Sequence, residues 1–199
     1  MRSDITTGAT FPDYELPDQT GKRRKLSEIQ GQDPMIVVLS RGHFCPKDRR
    51  QMRNLAELYP EIKVAYTSIV TISTDTLMET NEMRDALGAA WPFLSDPRRI
   101  VQKDLQIQEY TDPEHDPMIP YTLVLGPQLK IYSIYNGYWY WGRPSNDDLR
   151  RDLRELTRLT RPDWDLTAPG LREEWEAESR DDFWPYGRPM REVFADRDG

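Results

Sequence analysis

The stretch of sequence that decides the fold is Met35-Ile36-Val37-Val38-Leu39-Ser40-Arg41-Gly42-His43-Phe44-Cys45-Pro46-Lys47-Asp48-Arg49-Arg50. Its first six residues form a short aliphatic and β-branched run, which predicts a buried strand. A polar turn that contains glycine follows the strand. Cys45 comes next, before a proline, a residue favoured at the first position of a helix. The stretch therefore predicts a strand that runs into a helix, with Cys45 at the helix N-terminus.

Cys45 is the only cysteine of the chain, and its predicted position favours a negative charge. The backbone dipole and the free N–H groups of a helix N-terminus attract anions. The surrounding residues are mostly basic, with Asp48 as the single acid among Arg41, Lys47, Arg49, Arg50 and Arg53. A thiol placed there is expected to ionise more readily than a free cysteine. The alternative is a buried and inert cysteine, which is common in proteins.

The composition excludes several classes of protein. The chain has 199 residues, two histidines and a net charge of −7. It has no apolar run of about 18 residues, which predicts no membrane span. Its start lacks the shape of a signal peptide, and one cysteine cannot form an internal disulfide, so a cytoplasmic location is expected. Two histidines and one cysteine are too few for an ordinary zinc site, and the negative charge argues against nucleic-acid binding.

The charge divides the chain into two predicted regions. Residues 162–199 hold 11 acidic and 5 basic residues, while residues 1–161 hold 23 and 22. The second region also contains four prolines and six aromatic residues, Trp164, Trp175, Phe183, Trp184, Tyr186 and Phe194. Disordered tails rarely carry so many aromatics. We therefore expect a domain over 1–161 and a C-terminal extension over 162–199, with one short helix over 171–179, that docks on the domain or on a partner subunit.

Hydrophobic periodicity and turn residues predict the elements of the first region. A hairpin with a turn at 18–21 comes first, and a helical turn follows it. Strands are expected at 35–40 and 64–73, a short strand or loop at 93–96, and a hairpin at 122–125 and 131–135. Helices are expected at 46–59, where Pro60 ends the helix, from 76 to 88, from 96 to 105, and at 146–160. This order predicts an α/β fold of the thioredoxin-like type, a mixed sheet flanked by helices.

Four segments of the sequence resemble one known family. Gly8-Ala9-Thr10-Phe11-Pro12-Asp13-Tyr14-Glu15-Leu16, followed by Asp18-x-x-Gly21-x-x-x-x-Leu26-Ser27, resembles the opening of peroxiredoxins of the AhpC/TSA group. Phe93-Leu94-Ser95-Asp96 is similar to a family segment between two helices. Ile119-Pro120-Tyr121-Thr122 resembles the proline turn, normally cis, of thioredoxin-like folds. Gly142-Arg143-Pro144-Ser145 is similar to the approach to the last helix of redoxin domains.

The resemblance implies that Cys45 is the peroxidatic cysteine, but three family positions differ. Typical peroxiredoxins have a proline seven residues before this cysteine and a Thr or Ser three before it, where this chain has Val38 and Gly42. The usual active-site arginine of the family would fall near Pro120, and it is missing from this chain. The turn itself looks like that of a peroxiredoxin-like subgroup, Arg-Gly-x-Trp-Cys-Pro-x-Cys, in which Asp48 replaces the second cysteine.

Thiol peroxidation needs a thiolate and donors that orient the peroxide and protonate its leaving oxygen. Cys45 supplies the thiolate, and Arg41 and His43 are the candidate catalytic donors. The candidate substrate pocket consists of Ser40, Gly42, Pro46, Pro120 and Arg143. The plainer alternatives are that His43 is a turn residue, that Arg41 pairs with an acid, and that Arg49, Arg50 and Arg53 form a solvated helix face. His115 lies in a proline-rich segment and is assigned to a surface loop rather than a metal site.

The predicted function is that of a one-cysteine, peroxiredoxin-like thiol peroxidase that needs no cofactor. It reduces hydrogen peroxide or an organic hydroperoxide and forms a sulfenic acid on Cys45. Without a second cysteine, an external thiol or redoxin must reduce that acid. The alternatives are a thiol–disulfide oxidoreductase and a non-enzymatic, redox-sensing binding module. A homodimer or larger oligomer is expected, and the aromatic cluster at Tyr135, Tyr138, Trp139, Tyr140 and Trp141 lines a groove or packs in a core or interface.

Overall fold

A computed structural model describes residues 1–138 and 141–195 of the chain. Trp139 and Tyr140 of the predicted aromatic cluster lie outside the described residues, as does the side chain of Phe194. The strands are β1 Glu15–Pro17, β2 Arg23–Lys25, β3 Met35–Ser40, β4 Ser68–Ser73, β5 Phe93–Ser95, β6 Tyr121–Gly126 and β7 Lys130–Asn136. The helices are α1 Leu26–Gln30, α2 Pro46–Val64, α3 Leu77–Leu87, α4 Ile100–Asp104, α5 Asn146–Thr160, α6 Leu171–Glu176 and α7 Met190–Ala195.

Five strands form a central mixed sheet in the order β5-β4-β3-β6-β7. β3 pairs in parallel with β4, and β4 pairs in parallel with β5, whereas β6 runs antiparallel to both β3 and β7. β1 and β2 form a separate antiparallel hairpin. The prediction of an α/β thioredoxin-like fold with an N-terminal hairpin and a mixed sheet is confirmed.

The central strand β3 is buried along its whole length because both faces of the sheet are covered. Successive side chains of a strand point to opposite faces. Met35, Val37 and Leu39 enter a core that also takes side chains from the N-terminal segment, α1 and α4. On the opposite face, Gln51 of α2 donates its amide to the hydroxyl of Thr122, 2.7 Å away. α2 therefore lies on that second face.

Helix α5 lies beside β7 and α2 in the region up to Leu153. The carboxylate of Asp152 accepts hydrogen bonds from Ser133 and from Tyr135, whose oxygen lies 2.7 Å away. Burial and this hydrogen bond raise the pKa of Tyr135 to about 12. Arg150 pairs with Glu61 of α2 at 2.7 Å. The helix predicted at 146–160 is thus confirmed, and its N-terminal half lies against β7 and α2.

The prediction that Pro60 ends its helix is wrong, because α2 continues to Val64. A proline inside a helix removes one backbone hydrogen bond and crowds the preceding turn. The next turn nevertheless buries Ile62, which is 2 % exposed, and Thr67 donates its N–H to the carbonyl of Ile62 at 3.1 Å. Packing beyond the proline therefore stabilises the last helical turn. As a consequence, residues 64–67 do not belong to the strand predicted over 64–73.

The predicted helix over 96–105 begins later than expected. Arg99 adopts a left-handed conformation with φ 57°, so the helix can begin only at Ile100. The carboxylate of Asp96 accepts hydrogen bonds from the N–H groups of Ile100 and Val101, both at 2.8 Å. Asp96 thus caps α4 from four residues before it, and the segment 93–95 is a strand at the edge of the sheet.

The chain divides into two compact units, Met1–Leu153 and Arg154–Gly199. Within the second unit, the predicted helix over 171–179 ends earlier, at Glu176, and α7 was not predicted. Asp163 is buried there and accepts hydrogen bonds from the N–H of Trp184 and the hydroxyl of Tyr186. In the described part of the chain, no helix combines the length and apolar character needed to cross a membrane.

Candidate active site

One edge of the central sheet brings the predicted site residues together. Ser40 and Ser73 pair at the carboxyl ends of the parallel strands β3 and β4. Leu39 pairs with Tyr121, the first residue of β6, and Tyr121 pairs with Asn136, the last residue of β7. The loops that follow β3, β4 and β7, and the loop that precedes β6, therefore all leave the sheet at this edge.

Cys45 occupies the N-cap position of α2, as the sequence predicts. Its backbone is extended, with φ −81° and ψ 113°, and its N–H donates to the carbonyl of Gly42 at 3.1 Å. Only 1 % of the residue is exposed. The thiol is therefore held at the start of a helix but is nearly covered by the surrounding loops.

The guanidinium of Arg41 is directed at the sulfur of Cys45. Its Nη1 lies 3.9 Å from Sγ. Nε donates to Glu109 at 2.6 Å, and Nη2 donates to Asp112 at 3.0 Å. Burial acts to lower the pKa of Arg41, but the hydrogen bond to Cys45 and the charge of Glu109 raise it above its usual value. Arg41 thus stays charged, and two carboxylates fix its direction.

The loop that carries Glu109 and Asp112 also packs on the cysteine turn through two rings. His115 stacks on Phe44 with their centroids 3.7 Å apart and their planes at 11°. The Nδ1 of His115 lies 3.0 Å from Asp112, and the guanidinium of Arg41 lies over the Phe44 ring at 5.3 Å. The hydrogen bond from His115 lowers the pKa of Asp112. The assignment of His115 to a loop is correct, but the loop forms one wall of the site.

His43 is held by a buried carboxylate on the other side of the turn. Asp75 accepts a hydrogen bond from the backbone N–H of His43 at 2.9 Å, and its Oδ1 lies 2.9 Å from Nδ1 of the same ring. Ser73 also donates to Asp75, at 2.8 Å. Gly42 has φ +126°, and a Cβ there would lie 2.6 Å from Oδ1 of Asp75. Only glycine allows the backbone to approach Asp75 this closely.

Asp48 and Arg143 form a buried ion pair next to the cysteine turn. Nε of Arg143 donates to Asp48 at 2.9 Å, and its Nη1 donates to the carbonyl of Gly137 at 2.7 Å. The other oxygen of Asp48 accepts hydrogen bonds from the backbone N–H of Arg41 at 2.7 Å and from the hydroxyl of Ser40 at 3.2 Å. Arg143 therefore reaches this edge of the sheet, where it binds Asp48 and the backbone of Gly137.

The remaining predicted residues have plainer positions. Pro46 is exposed at the first position of α2, and Pro120 is buried just before β6, where its carbonyl accepts from the N–H of Gly137 at 2.8 Å. The expectation of a cis bond at Pro120 is wrong, since the cis peptide among the described residues is Trp184–Pro185.

Three of the basic residues at the start of α2 are exposed, namely Lys47, Arg50 and Arg53. Arg49 is half-buried, and its Nη1 lies 3.4 Å from the carbonyl of His43.

Sequence reasoning missed four acidic residues that position the candidate donors. Asp75 follows β4, and the rule that parallel strands end at one edge of a sheet could have placed it there. The motif indicates only that Asp48 replaces a second cysteine, and nothing in it indicates the contact with Arg143. Glu109 and Asp112 lie about 70 residues after Arg41 in an irregular loop, and no local pattern indicates that approach.

One group of side chains could offer ligands to a metal ion. Over residues 1–138 and 141–195, the ligand atoms of His43, Asp75 and Glu79 lie within 4.8 Å of one another. Both oxygens of Asp75 already accept hydrogen bonds, and Oε2 of Glu79 accepts from Thr76 at the start of α3. These hydrogen bonds account for the arrangement without a metal.

The sheet has the strand order β5-β4-β3-β6-β7, and Cys45 lies at the start of the helix that follows the central strand β3. This combination is typical of thiol-dependent proteins with a thioredoxin-like fold. Residues 7–134 match the AhpC/TSA family. The chain is 28% identical over 133 residues to "Putative peroxiredoxin Rv1608c" of Mycobacterium tuberculosis, covering 65% of this chain and 84% of the relative. It is 20% identical over 137 residues to the thiol-disulfide oxidoreductase ResA of Bacillus subtilis, covering 68% of this chain and 70% of ResA.

The crystal structure of peroxidoxin BcpB from Mycobacterium tuberculosis has a similar fold. Its TM-score is 0.65 at 23% identity, over 78% of this chain and 98% of that chain. The chain therefore belongs to the AhpC/TSA family, the peroxiredoxins of the thioredoxin-like superfamily. This match confirms the resemblance inferred from the sequence. Peroxiredoxins are thiol peroxidases, a class of oxidoreductase.

Proposed function

We propose that the protein is a one-cysteine thiol peroxidase that reduces hydrogen peroxide or an organic hydroperoxide. The observation that supports this most directly is the guanidinium of Arg41, 3.9 Å from Sγ of Cys45 at the start of α2. A positive charge and a helix N-terminus both stabilise a thiolate, which is the reactive form. Arg41 is also bound by two carboxylates, so its direction is set before substrate arrives.

The proposed reaction has two stages. The thiolate of Cys45 attacks one peroxide oxygen, the O–O bond breaks, and the leaving oxygen takes up a proton as water or an alcohol. Cys45 is then a sulfenic acid. An external thiol displaces water from that acid to form a mixed disulfide, and a second external thiol releases Cys45 and leaves as the other half of a disulfide.

Arg41 and His43 have separate proposed roles in the first stage. Arg41 donates a hydrogen bond toward the sulfur and the peroxide oxygen that approaches it, which stabilises the charge that moves to the leaving oxygen. His43 has its Nδ1 engaged by Asp75, so its Nε2 is the ring nitrogen proposed to exchange a proton with solvent or substrate. Ser40, Gly42, Pro46, Pro120 and Arg143 remain proposed as pocket residues around this centre.

One observation favours a second candidate, a redox-sensing binding module. Cys45 is 1 % exposed, and burial limits the access of an external reductant to its sulfur. The thiol–disulfide oxidoreductase alternative has less support, since the position three residues after Cys45 is Asp48, bound to Arg143, and the chain has no second cysteine. A cytoplasmic location, an external thiol or redoxin as reductant, and a homo-oligomeric state belong to the main proposal.

Rapid mixing of the reduced protein with hydrogen peroxide tests the main proposal. Tryptophan fluorescence follows the reaction, mass spectrometry detects the sulfenic acid, and Cys45→Ser is the control. We expect oxidation orders of magnitude faster than that of a free thiol, and we expect the control to lose it. A rate equal to that of a free thiol would contradict the peroxidase proposal and favour the binding module.

A further inference from the structure

We infer that the stacked rings of Phe44 and His115 are a size filter, which lets small reagents reach the sulfur of Cys45 and keeps bulky ones away. The inference deepens the proposed function and rests on it for the substrate class. That class is hydrogen peroxide and small alkyl hydroperoxides as oxidants, with a slender thiol as reductant. The filter itself is a property of the pocket and can be tested without peroxide.

A wall of contacting side chains leads from the sulfur to the surface. Nη1 of Arg41 lies 3.9 Å from Sγ of Cys45, and the same guanidinium lies over the ring of Phe44, 5.3 Å from its centroid. The ring of His115 stacks on Phe44 with the two centroids 3.7 Å apart. Side-chain exposure rises along this path, from the covered thiol through Arg41, at 22 %, to His115, at 37 %. The ring pair is therefore the outer part of the wall.

The burial of Cys45 has its source in the turn before it. Pro46, the next residue along the chain, is exposed at the start of α2, so the helix leaves that side of the cysteine open. Phe44 is the bulkiest side chain of the turn 41–44, directly before Cys45, and it is half-buried. A reagent that approaches along the turn meets the stacked rings before it meets the sulfur.

The loop that carries His115 is held at both ends, so the outer ring has a fixed support. The N–H of Glu109 donates to the carbonyl of Pro117 at 3.0 Å, which closes the base of the loop. Arg99, just before α4, donates to the carbonyls of His115 and Asp116 at 3.1 and 3.0 Å. These bonds fix the backbone on either side of the ring. The loop is therefore a wall of constant position and not a flap.

The direction of the His115 ring is set by Asp112. Its carboxylate lies 3.0 Å from Nδ1 of His115 and accepts the backbone N–H of the same residue at 3.2 Å. Asp112 also accepts from Arg41 at 3.0 Å, which ties the outer ring to the guanidinium at the sulfur. Stacked rings attract each other through their faces, apart from any hydrogen bond at their edges. A planar ring without nitrogen at position 115 is thus expected to keep the wall, whereas a methyl group removes it.

The test compares two methanethiolsulfonates of different size, the methyl and the benzyl compound, in their reaction with the reduced full chain. In both reactions the thiolate of Cys45 attacks the sulfenyl sulfur, forms a mixed disulfide and releases methanesulfinate. Since both need the same thiolate, its ionisation cancels in the ratio of the two rate constants, methyl over benzyl. Mass spectrometry measures the rates, and N-acetylcysteine gives the ratio for a thiol without a wall. We expect the parent ratio to exceed that reference by about tenfold, the discrimination that one wall of a pocket gives.

Three variants assign the effect to the ring pair. His115→Ala is expected to return the ratio to that of N-acetylcysteine, and His115→Phe is expected to keep the parent ratio. Glu114→Ala is the matched control, because Glu114 is exposed beside His115 in the same loop, and it is expected to keep the parent ratio too. Circular dichroism confirms that each variant is folded. If His115→Ala does not fold, Phe44→Ala, which removes the inner ring with the same expected result, takes its place.

The inference is overturned if the parent ratio equals that of N-acetylcysteine, if the folded alanine variant keeps the parent ratio, or if His115→Phe lowers it as far. The substrate class has its own test, in which the ratio of oxidation rates for hydrogen peroxide over cumene hydroperoxide is expected to fall in His115→Ala. An unchanged ratio there would contradict the class.

Failure of the filter and failure of the peroxidase proposal are distinguishable. The methanethiolsulfonates require only a thiolate, whereas the proposed function requires fast reaction with peroxide. The expected size effect together with slow oxidation by hydrogen peroxide would support the filter and contradict the peroxidase. Fast oxidation without a size effect would do the reverse.

Discussion

At the scale of single residues, the candidate site consists of basic side chains that acidic ones hold in fixed directions. Arg41 is directed by Glu109 and Asp112, and His43 is directed by Asp75. A guanidinium presents its donors in a rigid fork, so fixing two of its nitrogens fixes the third. In Arg41 that third nitrogen, Nη1, is the one that lies 3.9 Å from the sulfur of Cys45.

Glu109→Gln is expected to slow the reaction of Cys45 with hydrogen peroxide by about tenfold, because a neutral amide holds Arg41 less firmly than a carboxylate. The substitution keeps the size of the side chain, and Glu109 is 9 % exposed, so the site keeps its shape. The measurement is the second-order rate constant from rapid mixing.

Glu114→Gln is the control for that substitution, because Glu114 is exposed in the same loop. It is expected to leave the rate constant unchanged. Equal rates for the Glu109 variant and the parent protein would show that Asp112 alone, or neither carboxylate, sets the direction of Arg41.

The residues nearest Cys45 in sequence were predicted because a strand, a turn and a helix start are local patterns. The sequence placed Cys45 at the N-terminus of α2, and it suggested that Arg143 could reach the same edge of the sheet. Glu109 and Asp112 were not predicted, because their approach to Arg41 depends on how an irregular loop folds across the sheet edge. Tertiary contacts of this kind leave no periodic signal in the sequence.

At the scale of elements, α2 shows how packing decides the length of a helix. Apolar spacing predicted its first part correctly, but the proline rule ended it five residues too early. The rule counts the lost hydrogen bond and the crowding at Pro60. It does not count the burial of Ile62, which only the folded sheet provides. Arg99 gives the opposite case at α4, where a left-handed residue delays a helix that the sequence predicted to start at Asp96.

Pro60→Ala is therefore expected to stabilise the protein. Pro60 is exposed within α2, so the substitution creates no cavity and restores one N–H donor to the helix. We expect the free energy of unfolding to rise by about 1–2 kcal/mol, because the restored helical turn outweighs the extra freedom of the unfolded chain. Urea denaturation followed by circular dichroism measures the change.

Glu57→Ala is the control on the same helix, since Glu57 is also exposed. Its effect is expected to stay within about 0.5 kcal/mol, as is usual for surface substitutions. A loss of stability in the Pro60 variant would indicate that the proline contributes more through the unfolded chain than it costs in the helix.

At the scale of the whole molecule, the candidate site belongs to one of the two compact units. Its residues run from Ser40 to Arg143, inside Met1–Leu153. That unit contains the five-stranded sheet and the hydrophobic core on which β3 packs. The alternation of strands and helices made this fold predictable. The structure of the second unit was less predictable, because α6 and α7 are short helices between prolines and charged residues.

Removal of residues 162–199 is expected to abolish oligomerisation and to leave the oxidation of Cys45 unchanged. The truncated chain keeps all of the sheet, its core, α5 and every candidate site residue, so its rate of oxidation by hydrogen peroxide is expected to match that of the full chain. It loses the aromatic residues of the extension, among them Trp175, which is half exposed and lies under the guanidinium of Arg180 at 3.6 Å. Exposed aromatics of this kind are enriched at interfaces between proteins. The truncated chain is therefore expected to be a monomer.

Light scattering after size exclusion measures the mass of both chains at matched concentrations, and rapid mixing measures their rates. The full chain is the control, and it is expected to have at least twice the mass of its own monomer. Equal masses per chain for the two proteins would contradict a role of the extension in assembly. A slower reaction of a folded truncated chain would show that residues 162–199 contribute to the site itself, and the extension would then belong to the catalytic unit and not to the interface.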